Sequence, residues 1–245
     1  MHPRRLRPTS VALVVAGLIP AAGVLVGASA PDLSQPVAAP PVANAAHEVK
    51  QPVLAQKPEE KVKPIVAKFR MVPASVKSGA VPKINFQAYR EAEASMAKSA
   101  PRCGIDWQLI AGIGRVESHH ANSGDADGSG KLRTPIYGPT LDGTLAGNRV
   151  VTDTDGGALD DDAAHDRAVG PMQFLPETWE HYAADGNDDG KSDPQNLFDA
   201  ALTTAKYLCD GDLDLRKEAD QHTAVLRYNN SAEYVADVLG FARTY

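Results

Sequence analysis

The chain has 245 residues, of which 43% are hydrophobic and 23% charged, with a formal net charge of -6. That is room for one sizeable folded domain with extensions. The acidic balance argues against a nucleic-acid binder, which would carry a basic patch or stripe.

The N-terminus reads as a targeting segment. Arg4, Arg5 and Arg7 precede an apolar run over residues 11–28, and Ala28, Ser29 and Ala30 resemble a small-residue cleavage site. Pro31 directly after that site disfavours cleavage, and the run is long enough to stay as an anchor. Residues 1–30 are therefore expected to serve as signal peptide or signal anchor, and the protein to be exported. No cysteine lies near Ala30, which argues against a lipid anchor. Residues 31–82 are rich in Pro, Ala, Val, Lys and Glu without a helical or strand period, the composition of a disordered linker. The folded domain is expected over residues 83–245.

Within it, Phe86, Tyr89 and Met96 predict an amphipathic helix with Asn85 as its cap. Asp106 caps a second helix from Trp107 to about Ser118. A long stretch over residues 121–168, rich in Gly, Asp, Thr and Pro, shows no apolar periodicity, and a loop of that length is usually functional or disordered. Pro176 opens a further helix, with Trp179, Tyr182 and Ala183 on one face. Phe198, Leu202, Ala205 and Cys209 mark the next, capped by Asn196. Two more cover roughly Glu218 to Tyr228 and Ser231 to Arg243, the last with Val235, Val238, Leu239 and Ala242 inward. Five or six short helices and no clear strand make the domain mainly α. Cys103 and Cys209 sit beside helices of this one domain, and in an exported chain an even count points to a disulfide.

One acidic residue stands out. Ile110, Ile113 and Glu117 fall at spacings of three and four, so Glu117 shares a helix face with two isoleucines. Burial on such a face disfavours the charged carboxylate and raises its pKa. A carboxyl that keeps its proton near neutral pH is a general acid in waiting.

The segment from Ile113 to His120 (IGRVESHH), the segment from Ala168 to Trp179 (AVGPMQFLPETW) and the later Tyr228-Asn229 form an ordered set. The set resembles the lytic murein transglycosylases of the B type, in an actinobacterial-type version with a long insertion between the first two motifs. The likeness covers residues 105–245 and implies a goose-lysozyme-like helical fold acting on peptidoglycan glycan strands. Carried over residue by residue, it makes Glu117 the catalytic acid/base. Ser118, Met172, Gln173, Phe174, Tyr228 and Asn229 become cleft residues that bind or support substrate. It implies an enzyme, expected as a monomer, in the cell wall or tethered to the outer face of the cytoplasmic membrane. The insertion, with Arg133, Tyr137 and residues 160–162, is expected to build one wall of the groove.

Asp185, Asn187 and Asp189 alternate ahead of Gly190, as at the start of an EF-hand loop, where the Lys191 carbonyl would be the next ligand. Position twelve is Asn196 rather than a bidentate Glu. The B-type resemblance implies closure by a later carboxylate, here Asp199, and hence a structural Ca2+ with no organic cofactor. The alternatives left open are a polar turn without metal, a hydrolytic lysozyme, and a non-catalytic calcium-dependent wall-binding module. His119 and His120 lack zinc-ligand spacing and read as solvated or groove-lining.

Overall fold

The computed structural model describes residues 72–145 and 149–245. The leader over residues 1–30 and the linker up to residue 71 lie outside the described residues. Seven helices form: α1 (Ala74–Lys77), α2 (Lys83–Ser99), α3 (Trp107–Gly124), α4 (Pro176–Tyr182), α5 (Leu197–Cys209), α6 (Glu218–Tyr228) and α7 (Ala232–Thr244). Among the described residues there are isolated bridges but no strand, so the domain is mainly α. None of these helices is long and apolar enough to cross a membrane.

The folded part starts earlier than composition suggests. Val76 and Val81 are buried, and the Val81 N–H donates to the Ser75 carbonyl at 3.0 Å. Residues 72–82 therefore belong to the domain rather than to the linker. Two buried valines seat this short segment on the core although prolines and lysines surround them. Asn85 is not a cap either. The helix begins at Lys83 after Pro82, and Asn85 lies buried in the first turn, donating from Nδ2 to the Tyr89 hydroxyl at 3.2 Å.

Helix α3 is the centre of the bundle, packed against α2, α5 and α7. Asp106 accepts the Leu109 N–H at 2.9 Å and starts it as predicted. Leu109, Ile110, Ala111 and Ile113 are all buried, so the helix is apolar around most of its circumference. Gly112 and Gly114 permit this: a Cβ on the first would strike the Val238 backbone of α7, and on the second the Tyr89 hydroxyl of α2.

The right-handed helix stops at Ser118. Residues 119–123 then make a left-handed turn, with φ from 51° to 68°. Each such residue costs about 1–2 kcal/mol, so the turn needs restraints. The Ala121 N–H donates to Ser118 Oγ at 2.8 Å. His120, expected at the surface, is instead 1% exposed and bridges two tyrosines. Its Nδ1 faces the Tyr89 hydroxyl at 3.1 Å and its Nε2 the Tyr245 hydroxyl at 3.0 Å. Burial, with Arg115 and His119 nearby, pushes the imidazole down to about 4, so it is neutral at physiological pH. His119 stays exposed.

The 121–168 insertion satisfies its backbone with aspartates in place of regular structure. Asp155 accepts from the N–H groups of Gly157, Ala158 and Leu159. Asp153 takes those of Gly156 and Gly157, and Asp162 those of Ala164 and His165. The Gly138 N–H donates to the Ala168 carbonyl at 2.7 Å, closing the loop at its base.

Candidate active site

Glu117 occupies the last right-handed turn of α3, one turn beyond Ile113 and two beyond Ile110, both fully buried. Its side chain is partly exposed, at the boundary between core and surface. The Tyr234 hydroxyl of α7 donates to its Oε1 at 2.5 Å. Burial raises the carboxyl to about 8, and the Tyr234 hydrogen bond pulls the other way. The predicted neutral acid is therefore present, with a partner that sequence reading missed. The signal was there: Tyr234 precedes the inward-facing Val238 by one helical turn.

That partner can be tested without any substrate. Tyr234→Phe removes a hydrogen bond that favours the charged carboxylate. Glu117 is expected to titrate at higher pH still, by roughly one unit or more. Carboxyl-carbon NMR titration checks this, and a pKa that stayed put or fell would refute the role given to Tyr234.

The second motif folds as a tight hairpin. Val169 and Phe174 exchange N–H···O bonds at 2.8 and 3.1 Å, and Gly170 (φ 75°) and Gln173 (φ 51°) take left-handed conformations between them. A Cβ at Gly170 would collide with the Pro194 carbonyl, so only glycine fits there. Ser118 Oγ donates to the Pro171 carbonyl at 2.7 Å and fastens the hairpin to the end of α3.

This changes the roles of several predicted cleft residues. Ser118 is 8% exposed, and its hydroxyl is committed to Pro171 and Ala121, so it positions backbone rather than binding substrate. Met172 (0% exposed) and Phe174 (4%) are core, the latter packed on Trp179, Tyr207 and Tyr228. Tyr228 is buried too. Its hydroxyl donates to the Met172 carbonyl at 2.7 Å, and its ring lies parallel to that of Tyr234. Of the hairpin residues, Gln173 alone is partly exposed, with Nε2 on the Gly170 carbonyl at 2.9 Å. Asn229 is buried with no hydrogen-bond partner for its Nδ2.

The acidic loop lies elsewhere in the domain, before α5. Asp185 accepts from the N–H groups of Asp189 and Gly190, and Asn187 from that of Asp189. Asp189 accepts from the Lys191 N–H, while the Lys191 side chain is exposed. Asp199 on α5 is fully buried and accepts from Gly186 and Asp193. Burial raises its carboxyl, and the charges of Asp185 and Asp189 raise it further. The three carboxylates thus share one region, and their repulsion is what a hard cation would relieve. Separately, Asp153, Asp155 and Asp166 of the insertion bring carboxylate oxygens within 4.8 Å of one another. All three accept hydrogen bonds from the loop itself.

Residues 163–218 match the transglycosylase SLT domain family. No curated protein matches the whole sequence significantly. Three solved structures are similar over most of the chain. The lytic transglycosylase SLT35 of Escherichia coli in complex with calcium is 16% identical, with 71% of this chain and 74% of that one covered and a TM-score of 0.42. The same enzyme in complex with bulgecin A gives 15% identity, 69% and 76% coverage and a TM-score of 0.37. SltB3 from Pseudomonas aeruginosa in complex with NAG-anhNAM-pentapeptide gives 17% identity, 71% and 67% coverage and a TM-score of 0.36. With its second motif inside the matched segment and a carboxyl raised by burial at the end of the preceding α3, the chain is similar to the transglycosylase SLT domains over residues 163–218.

Proposed function

We propose that the protein cleaves the β-1,4 bond between N-acetylmuramic acid and N-acetylglucosamine in peptidoglycan, with Glu117 acting alone as acid and then base. The observation that carries this reading is the Glu117 carboxyl itself, raised to about 8 by burial and bonded through Oε1 to Tyr234. With Oε1 occupied, Oε2 is the oxygen that presents the proton. It passes to the glycosidic oxygen as the bond to the muramyl C1 breaks. The muramyl N-acetyl group supports the positive charge at C1. The carboxylate then takes the proton of the muramyl 6-hydroxyl, whose oxygen closes on C1 to give a 1,6-anhydro ring. No water is consumed, so the second carboxylate that an ordinary glycosidase needs is dispensable. Gln173, and Asn229 with its unpartnered Nδ2, are assigned to substrate polar groups.

Product mass spectrometry of peptidoglycan treated with the full chain tests the reading. Anhydro-muropeptides, lighter by one water than the hydrolysis products, support it. Reducing ends alone would make the protein a hydrolytic lysozyme instead.

The Asp185, Asn187, Asp189 and Asp199 loop is proposed to hold a structural Ca2+, together with the Lys191 carbonyl. Its oxygen donors suit a hard cation. Calcium at 100 times its dissociation constant should stabilise the fold by about 2.7 kcal/mol. Thermal melts with calcium against chelator, in wild type and Asp199→Asn, read this out. Equal melting temperatures in wild type with and without calcium would count against the site. An exported protein, secreted to the wall or tethered by residues 1–30, is the setting we assign, since the proposed substrate lies outside the membrane.

A further inference from the structure

We propose that Arg167, held against Tyr137 beside the 168–174 hairpin, is a specificity-determining cation that binds a carboxylate on the peptide stems of the glycan strand. The proposal rests on the transglycosylase reading and adds to it a feature of the substrate that the site selects.

Arg167 is fixed at three points. Its guanidinium carbon sits 4.8 Å from the centre of the Tyr137 ring. Its Nε donates to the Gly138 carbonyl at 3.1 Å, and its Nη1 to the Asp160 carbonyl at 3.3 Å. The side chain stays partly exposed, and its Nη2 donates to no described residue. A planar donor held this way has already lost the rotamer freedom that a flexible cation gives up on binding.

A continuous series of contacts links it to the hairpin that is fastened to the end of α3. Tyr137 bridges to Val169, and Gly138 donates to Ala168, so the segment carrying the Arg167 partners is sewn to the hairpin. A Cβ at Gly138 would lie 3.0 Å from Gln173 Oε1. The hairpin is in turn fastened through Pro171 to Ser118, the neighbour of Glu117.

The charge balance around it is unusual. Arg167 stands in an insertion holding Asp153, Asp155, Asp160, Asp161, Asp162 and Asp166, yet it forms no ion pair among the described residues. The Asp160 carboxylate accepts the backbone N–H groups of Arg167 and Asp162 instead. Asp166 is turned to Thr154, and Asp162 to Thr140 and the loop backbone. The fold thus uses its nearby acids to hold backbone and leaves an oriented guanidinium without an anion. Carboxylate is the group such a fork accepts best. The sugar hydroxyls and acetamido groups of the strand are neutral, and its stem peptides carry the carboxylates.

The test compares kcat/KM of the full chain on stem-bearing glycan strands with that on the same strands whose stem carboxylates have been amidated. In Arg167→Met the ratio of the two is expected to fall about tenfold or more, through KM. Arg167→Lys should recover part of it. An unchanged ratio would overturn the proposal, as would equal losses on both substrates, which mean that Arg167 only props the loop. If wild type cleaves neither substrate, the transglycosylase reading fails on its own. Calorimetry of a soluble stem-bearing muropeptide against the same muropeptide with its stem carboxylates amidated then decides about Arg167: a preference lost in Arg167→Met supports the cation, and equal binding by both proteins overturns it.

Discussion

Replacing Glu117 with glutamine is expected to lower kcat on peptidoglycan by roughly a thousandfold or more, with KM little changed. Glutamine keeps the shape and can still accept the Tyr234 hydroxyl, but it has no proton to give and no base to take one back. The same substitution should make the protein more stable, not less. Wild-type Glu117 holds its proton up to about pH 8, while in the unfolded chain it releases it near the ordinary glutamate value of 4.5. A raised carboxyl is no burden below the unfolded pKa. Its burden grows as pH rises through the window between the two values and levels off above the folded one. At pH 7 this amounts to up to roughly 3 kcal/mol that Glu117→Gln would not incur. Denaturant midpoints for both proteins from pH 4 to 9 should converge at the acid end and separate toward the alkaline end. An inactive variant with a parallel or opposite pH trend would mean that the carboxyl is not held neutral by the fold. A variant retaining near-normal rates would remove Glu117 from the chemistry.

The second large effect is on folding. The Cys103–Cys209 bridge joins residues 106 apart in sequence, tying the segment before α3 to the end of α5. A loop of about that length restrains the unfolded chain by roughly 4–5 kcal/mol in the chain-entropy account. Cys103→Ala with Cys209→Ala should therefore lower stability by about that much and the melting temperature by roughly 10 °C. Reduction of the wild type should reproduce the loss. Coincident unfolding curves for oxidised and reduced protein would refute it. The bridge includes no residue of the hairpin and not Glu117, so the surviving folded fraction should keep its pH profile.

Local signals carried most of this architecture. Asp106 and Asn196 cap the helices they were expected to cap, because a cap is a contact within three residues. The spacing of Ile110, Ile113 and Glu117 was enough to foresee a carboxyl at the core boundary with a raised pKa. What escaped depends on long-range partners. Tyr234 meets Glu117 across 117 residues of sequence, and His120 meets Tyr245 across 125. Asn85 looked like a cap because its real partner, Tyr89, is a hydroxyl rather than a backbone group. Motif membership also overstated contact with substrate. Ser118, Met172 and Phe174 hold the hairpin closed from behind, and a sequence pattern does not separate such residues from those facing the ligand.

The insertion has one more consequence. Within it, the hydrogen bond between Gly138 and Ala168 and the adjoining Tyr137–Val169 bridge tie together the two ends of the span from residue 138 to residue 168. The span between those ends works as an exchangeable cassette. Lengthening or shortening it changes closure entropy only with the logarithm of its length, and its turns are held by aspartates, with Leu159 alone of the 155–159 turn packed against the helical core. A longer or shorter span can therefore leave Glu117 and its hairpin where they are.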